Sequence, residues 1–232
     1  MDKYFRNHPD YIFQNNNYHD SYEKLKSDLK WQNIIISTSD DVLEIWFWKW
    51  NFANYCKNIW VTNYTGIDID DFFIKKLTKN FKDYKFKNID LDSFFIADNN
   101  KYNLIFTSHV FEHLDSKTSS KLIDWIYKSL KNWWKWINIM PNADSVFNAT
   151  SMRYCDITHR ILYNSISFVQ KINSRENIFF DIQHYNDRPT TFIKRIIHIP
   201  FKFIFKILYL WMMQKMPKYY TSNLISVLKK ED

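Results

Sequence analysis

The chain has 232 residues, one glycine, ten tryptophans, a formal net charge of +7 and a pI near 9.1. That length suits one large domain with a full core and leaves little room for a second. The N-terminus lacks the apolar stretch of a secretory signal, and no apolar run reaches the roughly 20 residues of a membrane span. Cys56 and Cys155 lie far apart without metal-type spacing, which points to a reducing compartment. The positive charge permits an anionic partner, and a Lys-rich solvated surface accounts for it equally well.

Residues 1–39 are polar and aromatic, with an Asn-rich loop at Asn15 to Asn17 and one helix from Ser21 to Lys30, and read as a helical appendage or lid. From Asp41 strands and helices alternate: strand 41–46, helix 50–58, strand 63–68, helix 71–81, strand 84–89, strand 103–108, helix 117–131 and strand 135–140. Alternation of this kind predicts an α/β fold, a doubly wound, mostly parallel sheet with helices on both faces. Beyond Pro141 come a polar loop over 141–160, a helical stretch at 163–173 and a strand from Ile178 to Gln183. Thr191 to Lys215 is apolar, punctuated by Lys and Arg and broken by Pro200, which predicts two helices or one kinked helix. Thr221 to Lys229 reads as an edge strand closing the sheet.

The segment V-L-E-I-W-F-W-K-W at 42–50 is a strand, a tight turn and a helix start. Such turns meet ligands through glycines, which allow positive φ and close backbone approach. Tryptophan at 46, 48 and 50 contradicts the turn it occupies, because a left-handed non-glycine residue costs about 1–2 kcal/mol.

Four motifs in order resemble the class I S-adenosylmethionine-dependent methyltransferases. The 42–50 turn is similar to the family's V-L-E-I-G-x-G-x-G, with Glu44 kept and Trp46, Trp48 and Trp50 at the glycine positions. Y-T-G-I-D-I-D at 64–70 ends a strand at Asp68, where the family places an acid on the cofactor ribose. F-K-N-I-D-L at 86–91 puts Asp90 where the family meets the adenine amine. Y-N-L-I-F-T-S-H-V-F-E-H-L at 102–114 is similar to the segment lining the methionine end of the cofactor. K-N-W-W-K-W-I-N-I-M-P-N at 131–142 resembles the family's entry to strand five, with Trp133 and Trp134 at two glycine positions, and Trp60 falls at another.

The resemblance covers residues 40–232. It implies a Rossmann-like, seven-stranded, mostly parallel sheet with an antiparallel C-terminal strand, carrying an apolar and basic helical insertion at 191–217. It implies S-adenosyl-L-methionine as cofactor, held by Glu44, Trp46, Trp48, Trp50, Asp68, Ile69, Asp90, Leu91, Ser108 and His109. The tail motifs M-P-N-A-D-S, R-Y-C-D-I-T-H and T-S-N-L-I-S-V-L-K are similar to a subgroup found with surface-polysaccharide assembly. They imply a small-molecule or lipid-linked glycan acceptor, with Asn142, Arg153, Tyr154 and Asp156 facing it.

For O-methylation a histidine base is the usual choice, and His159, oriented by Asp156, leads His109 and His113. Glu112 between His109 and His113 hints at a metal, but two side chains rarely suffice for a specific site, so no metal is expected. Nothing resembles an RNA-binding appendage or a flipped-base site, so nucleic acid has only the net charge in its favour. The expected location is cytoplasmic, with peripheral contact at the inner face of a membrane through 191–215.

Six tryptophans on glycine positions, in a chain with one glycine, suggest UGA codons that the native organism reads as glycine. Trp31, Trp125, Trp136 and Trp211 fall on no such position and are expected to be true tryptophans. The alternative is a degenerate fold that has lost its cofactor and serves as an interaction or membrane-docking module.

Overall fold

The computed structural model describes residues 14–46, 50–89, 99–145, 156–186, 192–212 and 216–231. In chain order the elements are α1 (Gln14–Trp31), β1 (Asp41–Ile45), α2 (Asn51–Asn58), β2 (Asn63–Asp68), α3 (Asp71–Asn80), β3 (Lys85–Asn88) and β4 (Tyr102–Ser108). A 3₁₀ turn, Phe111–His113, precedes α4 (Ser116–Ser129) and β5 (Leu130–Pro141), followed by α5 (Ser165–Asn173), β6 (Phe180–Asn186), α6 (Phe192–Trp211) and β7 (Asn223–Lys230).

The seven strands form one sheet in the order β3-β2-β1-β4-β5-β7-β6. β1 pairs in parallel with both β2 and β4, while β7 runs antiparallel to β5 and to β6. The expected Rossmann-like α/β sheet with an antiparallel C-terminal strand is therefore present. Strand order reverses between β1 and β4, which opens a crevice at their carboxyl ends, the usual ligand position in such sheets.

Strand alternation divides the core in two. Leu43, Ile45, Ile105 and Trp136 pack with Ile123 and Ile126 of α4 and Phe168 of α5. Val42, Tyr64, Phe106 and Ile137 pack on the other face with Phe52, Ala53 and Cys56 of α2 and Leu77 of α3. Local chemistry sets the helix starts. The Asp70 carboxylate accepts from Phe72 N at 2.8 Å, Asp115 accepts from Thr118 N at 2.8 Å, and Asn164 and Ser167 form a reciprocal capping box.

Two expectations change and one alternative is selected. The Asn15–Asn17 loop lies inside α1, which runs 18 residues, and Leu25 and Leu29 of that helix are buried with α2. Helical propensity at asparagine is weak and yields here to tertiary packing. Of the two alternatives for the apolar stretch, residues 192–211 take the single helix, with Pro200 inside it. β7 is interior, since Leu224, Ile225 and Leu228 are buried on both faces between β5 and β6, and the edge falls to β6. Its polar residue Ser226 is fully buried and pairs with His184 Nδ1 at 2.9 Å, so the strand's mixed composition disguises a central position.

Candidate functional site

The turn leaving β1 begins at Trp46, whose amide donates to Ile67 O at 2.8 Å, extending the β1–β2 ladder by one residue. Trp46 then adopts φ 55°, and Trp50, the residue capping α2, adopts φ 52° with no side-chain cap. Residues 47–49, including Trp48, lie outside the described residues. The Trp46 indole packs half-buried against one core cluster and Trp50 against the other, with Lys76 Nζ 4.4 Å above the Trp50 ring.

The same conflict recurs elsewhere. Trp60 has φ 63° at the residue after the C-cap of α2, where Val61 N donates to Cys56 O at 3.0 Å and Trp60 N to Lys57 O at 3.1 Å. This bond pair is the Schellman motif, whose left-handed residue is usually glycine. Trp133 has φ 69° where β5 bulges, the pairing with β4 jumping from Tyr102↔Leu130 to Leu104↔Lys135. Trp134 does not share the positive φ, and neither do Trp31, Trp125, Trp136 and Trp211. Trp136 is a core residue: its indole is fully buried and Nε1 donates to Thr107 Oγ1 at 2.8 Å.

Beside the turn stand two buried acids. Glu44 points to the α2 face and accepts a short hydrogen bond from the Tyr64 hydroxyl. Burial pushes its carboxyl up to about 8, against the lowering effect of that bond and with help from the nearby Asp68 charge. Asp68, at the end of β2, is buried, and its Oδ1 accepts from Asp70 N at 2.9 Å. Ile69 follows half-buried, its carbonyl accepting from Asn88 Nδ2 at 3.3 Å. Asp90 and Leu91 lie outside the described residues.

The end of β4 makes a second shelf. Ser108 is half-buried, and His109 N donates to Ile139 O at 2.9 Å before the backbone turns left-handed at φ 56°. Histidine visits that region more readily than most residues. The turn sets His109 Nδ1 3.0 Å from Glu112 Oε1. Burial alone would push the Glu112 carboxyl up, but the His109 bond and the His109 and His113 charges outweigh it and hold it below its ordinary value. Burial pushes His113 down against the opposing charge of Glu112, favouring neutral imidazole.

A distant segment closes over this shelf. Arg160 N and Ile161 N donate to Glu112 O at 2.7 and 3.3 Å, which holds Asp156–His159 in place. His113 Nδ1 meets Thr158 Oγ1 at 2.8 Å, and the His113 and His159 ring centroids are 4.8 Å apart. His159 Nε2 lies 3.8 Å from Asp156 Oδ2, both residues being buried. The structure thus places His109, His113, His159 and Asp156 on one shelf with Glu112, and adds Thr158. Thr158 left no sequence signal, because its partner His113 lies 45 residues away on another element.

Asn142 departs from its expected contact with an acceptor. It is fully buried, Nδ2 donates to Tyr219 O and Thr221 O at 3.0 and 3.1 Å, and Oδ1 accepts from Asp144 N at 3.0 Å. With both amide protons spent on backbone carbonyls, it braces the end of β5 against the approach to β7. Arg153 and Tyr154 lie outside the described residues.

No family model and no curated protein matches the sequence. Solved structures do. A SAM-dependent methyltransferase from Archaeoglobus fulgidus aligns at TM-score 0.68 and 19% identity, over 95% of this chain and 99% of that one. The chain has the fold of the S-adenosylmethionine-dependent methyltransferases. The plantazolicin methyltransferase BpumL, solved in complex with SAH, aligns at TM-score 0.59 and 16% identity over 99% of this chain and 93% of that one. A Listeria monocytogenes protein described as a putative S-adenosylmethionine-dependent methyltransferase aligns at 0.58 and 10%, over 92% of this chain and all of that one.

Judged by this chain's own residues, the methyltransferase fold offers a partial seat for such a cofactor. A buried carboxylate at the end of β2 is chemically suited to a ribose diol. The β1 turn is not suited as written, since indoles at 46 and 50 add bulk where the backbone itself has glycine geometry.

Proposed function

We propose that this chain is an S-adenosylmethionine-dependent methyltransferase that O-methylates a sugar or glycan acceptor, and that Trp46, Trp48, Trp50, Trp60, Trp133 and Trp134 stand where the native protein has glycine. The observation that carries the reading is the left-handed backbone at Trp46 and Trp50, on the turn of the switch-point crevice beside a buried Asp68. Trp60 and Trp133 add support, since both occupy glycine-type turns far from that crevice. With glycine restored, the residues that would hold the cofactor are Glu44, Asp68, Ile69, Asp90, Leu91, Ser108 and His109, together with the backbone of the turn.

The cofactor supplies a methyl group on an electrophilic sulfonium. The chain's own task is to hold an acceptor oxygen in line and to receive its proton. His159, His109 and His113 are the candidate bases, with Asp156 beside His159, and Arg153, Tyr154 and Asp156 would meet the acceptor. The lowered basicity of His113 favours the proton-accepting form near neutral pH.

The domain assignment follows the same reading: residues 40–232 as the methyltransferase domain and 1–39 as a helical lid, seated through Leu25 and Leu29 on α2. The glycan acceptor rests on the tail motifs. Peripheral contact with the inner face of a cytoplasmic membrane rests on α6, where Phe203, Ile204 and Ile207 are exposed among Lys202 and Lys206. Among the described residues no helix is long and apolar enough to cross a membrane.

One observation favours the alternative, a docking module without cofactor: in the chain as written, indoles occupy the turn. Calorimetry with S-adenosylmethionine separates the two. The chain with glycine at the six positions should bind, and the literal chain should not. Binding by neither would end the enzyme reading.

A further inference from the structure

We propose that Glu112, His113 and His159 form a binding site for a divalent first-row cation. One ligand-capable atom from each lies within 4.8 Å of the others. Bonds of 2.0–2.2 Å to imidazole nitrogen and carboxylate oxygen separate tetrahedral donors by about 3.4 Å, so modest side-chain rotation closes this cluster on an ion.

Glu112 supplies an independent observation. The residue is 1% exposed, its Oε1 is engaged by His109, and its Oε2 is buried with no hydrogen-bond partner. Leaving a carboxylate oxygen buried and unpaired is costly, and native interiors rarely tolerate it without an ion or another compensating group. A cation shared with two imidazoles provides that group.

The protons around His113 are arranged to match. Thr158 Oγ1 donates its single proton to Asp156 Oδ1 at 2.6 Å, so toward His113 Nδ1, at 2.8 Å, it accepts. The His113 proton is therefore on Nδ1 and the lone pair on Nε2. A hydrogen bond from the non-ligating nitrogen is how metal-bound histidines are oriented, and the Asp156–Thr158–His113 chain is a support of that kind. Asp156 also stands behind His159, with its Oδ2 3.8 Å from Nε2.

Two imidazoles and one carboxylate leave coordination positions open, as in sites whose ion meets an exogenous oxygen. The shelf lies just past the carboxyl end of β4, on the crevice side of the sheet. This site goes beyond the methyl-transfer reading and does not depend on it. Where both hold, His113 and His159 serve as ligands, and the base among the three histidines is His109.

Cobalt(II) titrated into the metal-stripped full-length chain tests the site. One equivalent should bind saturably, produce ligand-field absorption and raise Tm, and zinc should displace it. Glu112→Gln and His159→Ala should each weaken cobalt binding by at least about 100-fold. Thr158→Val, which keeps all three ligands, should weaken it by about 10–100-fold. His184→Ala, on β6, should bind as the parent does. Far-ultraviolet circular dichroism checks that each variant folds, and if Glu112→Gln does not, Thr158→Val and His159→Ala decide. Absence of saturable binding up to millimolar cobalt, or parent-like affinity in the folded ligand variants, would overturn the proposal. Cobalt titration and calorimetry with S-adenosylmethionine, both on the chain with glycine at the six positions, keep the two readings apart: cobalt binding without cofactor binding counts against methyl transfer alone, and the reverse counts against the cation site alone.

Discussion

Two neighbouring regions at the carboxyl edge of the sheet differ in how well side chain and backbone agree. On the shelf after β4, side chain and backbone agree: His109 pairs with Glu112, and His113 pairs with Thr158, which donates to Asp156. In the turn after β1, Trp46 and Trp50 sit at φ 55° and 52° with bulky side chains that the backbone does not want. Decay of a whole site would damage both regions. The mismatch instead follows one residue type, and outside the site it reappears at Trp60 and Trp133. Asn33, Asn100 and Asn177 take the same left-handed geometry with a residue that tolerates it, so the fold does not generally force strain into its turns.

The comparison breaks most sharply at Trp136, which belongs to the set expected to be true tryptophan. Trp136→Ala should cost about 3–5 kcal/mol in chemical denaturation, because a fully buried indole and its bond to Thr107 are lost. A cost near zero would remove the distinction between the two kinds of tryptophan.

Glu44 gives the next effect. Its folded-state carboxyl is raised from an ordinary 4.5 to about 8, so the folded chain holds a proton that the unfolded chain releases. The stabilisation is complete below pH 4.5 and is lost as pH rises through about 8. Glu44→Gln should therefore gain stability relative to the parent as pH rises from 5 to 8, by about 2–4 kcal/mol at the upper end. Parallel pH profiles for the two proteins would contradict the buried, protonated state.

Smaller effects refine the glycine positions one at a time. Trp60→Gly should stabilise the chain by about 1–2 kcal/mol, since an 80% exposed indole contributes little packing and its left-handed geometry is relieved. Trp134→Gly should fall near zero or slightly below, because its φ is ordinary and glycine adds chain entropy. Equal responses at 60 and 134 would mean that backbone geometry does not distinguish them.

Much of this was legible in the sequence, for identifiable reasons. β1 and β4 announce themselves as short apolar runs, and Asp68 ends β2 as a buried acid. Trp46, Trp50, Trp60 and Trp133 stood out because turns of that spacing usually carry glycine, and all four have positive φ. Contacts across the chain were not readable. Tyr64 on Glu44 spans 20 residues and Thr158 on His113 spans 45. Asn142 misled because an exposed ligand contact and a buried backbone brace use the same amide. β7 looked like an edge because Ser226 and the flanking lysines hide a strand buried on both faces.

The central claim is that the turn after β1 is a glycine turn in the native protein. Mass spectrometry of peptides spanning residues 41–57, taken from protein made in the source organism, tests it most directly. Residues 46, 48 and 50 should each have the mass of glycine, whereas tryptophan masses at those three positions would contradict the account.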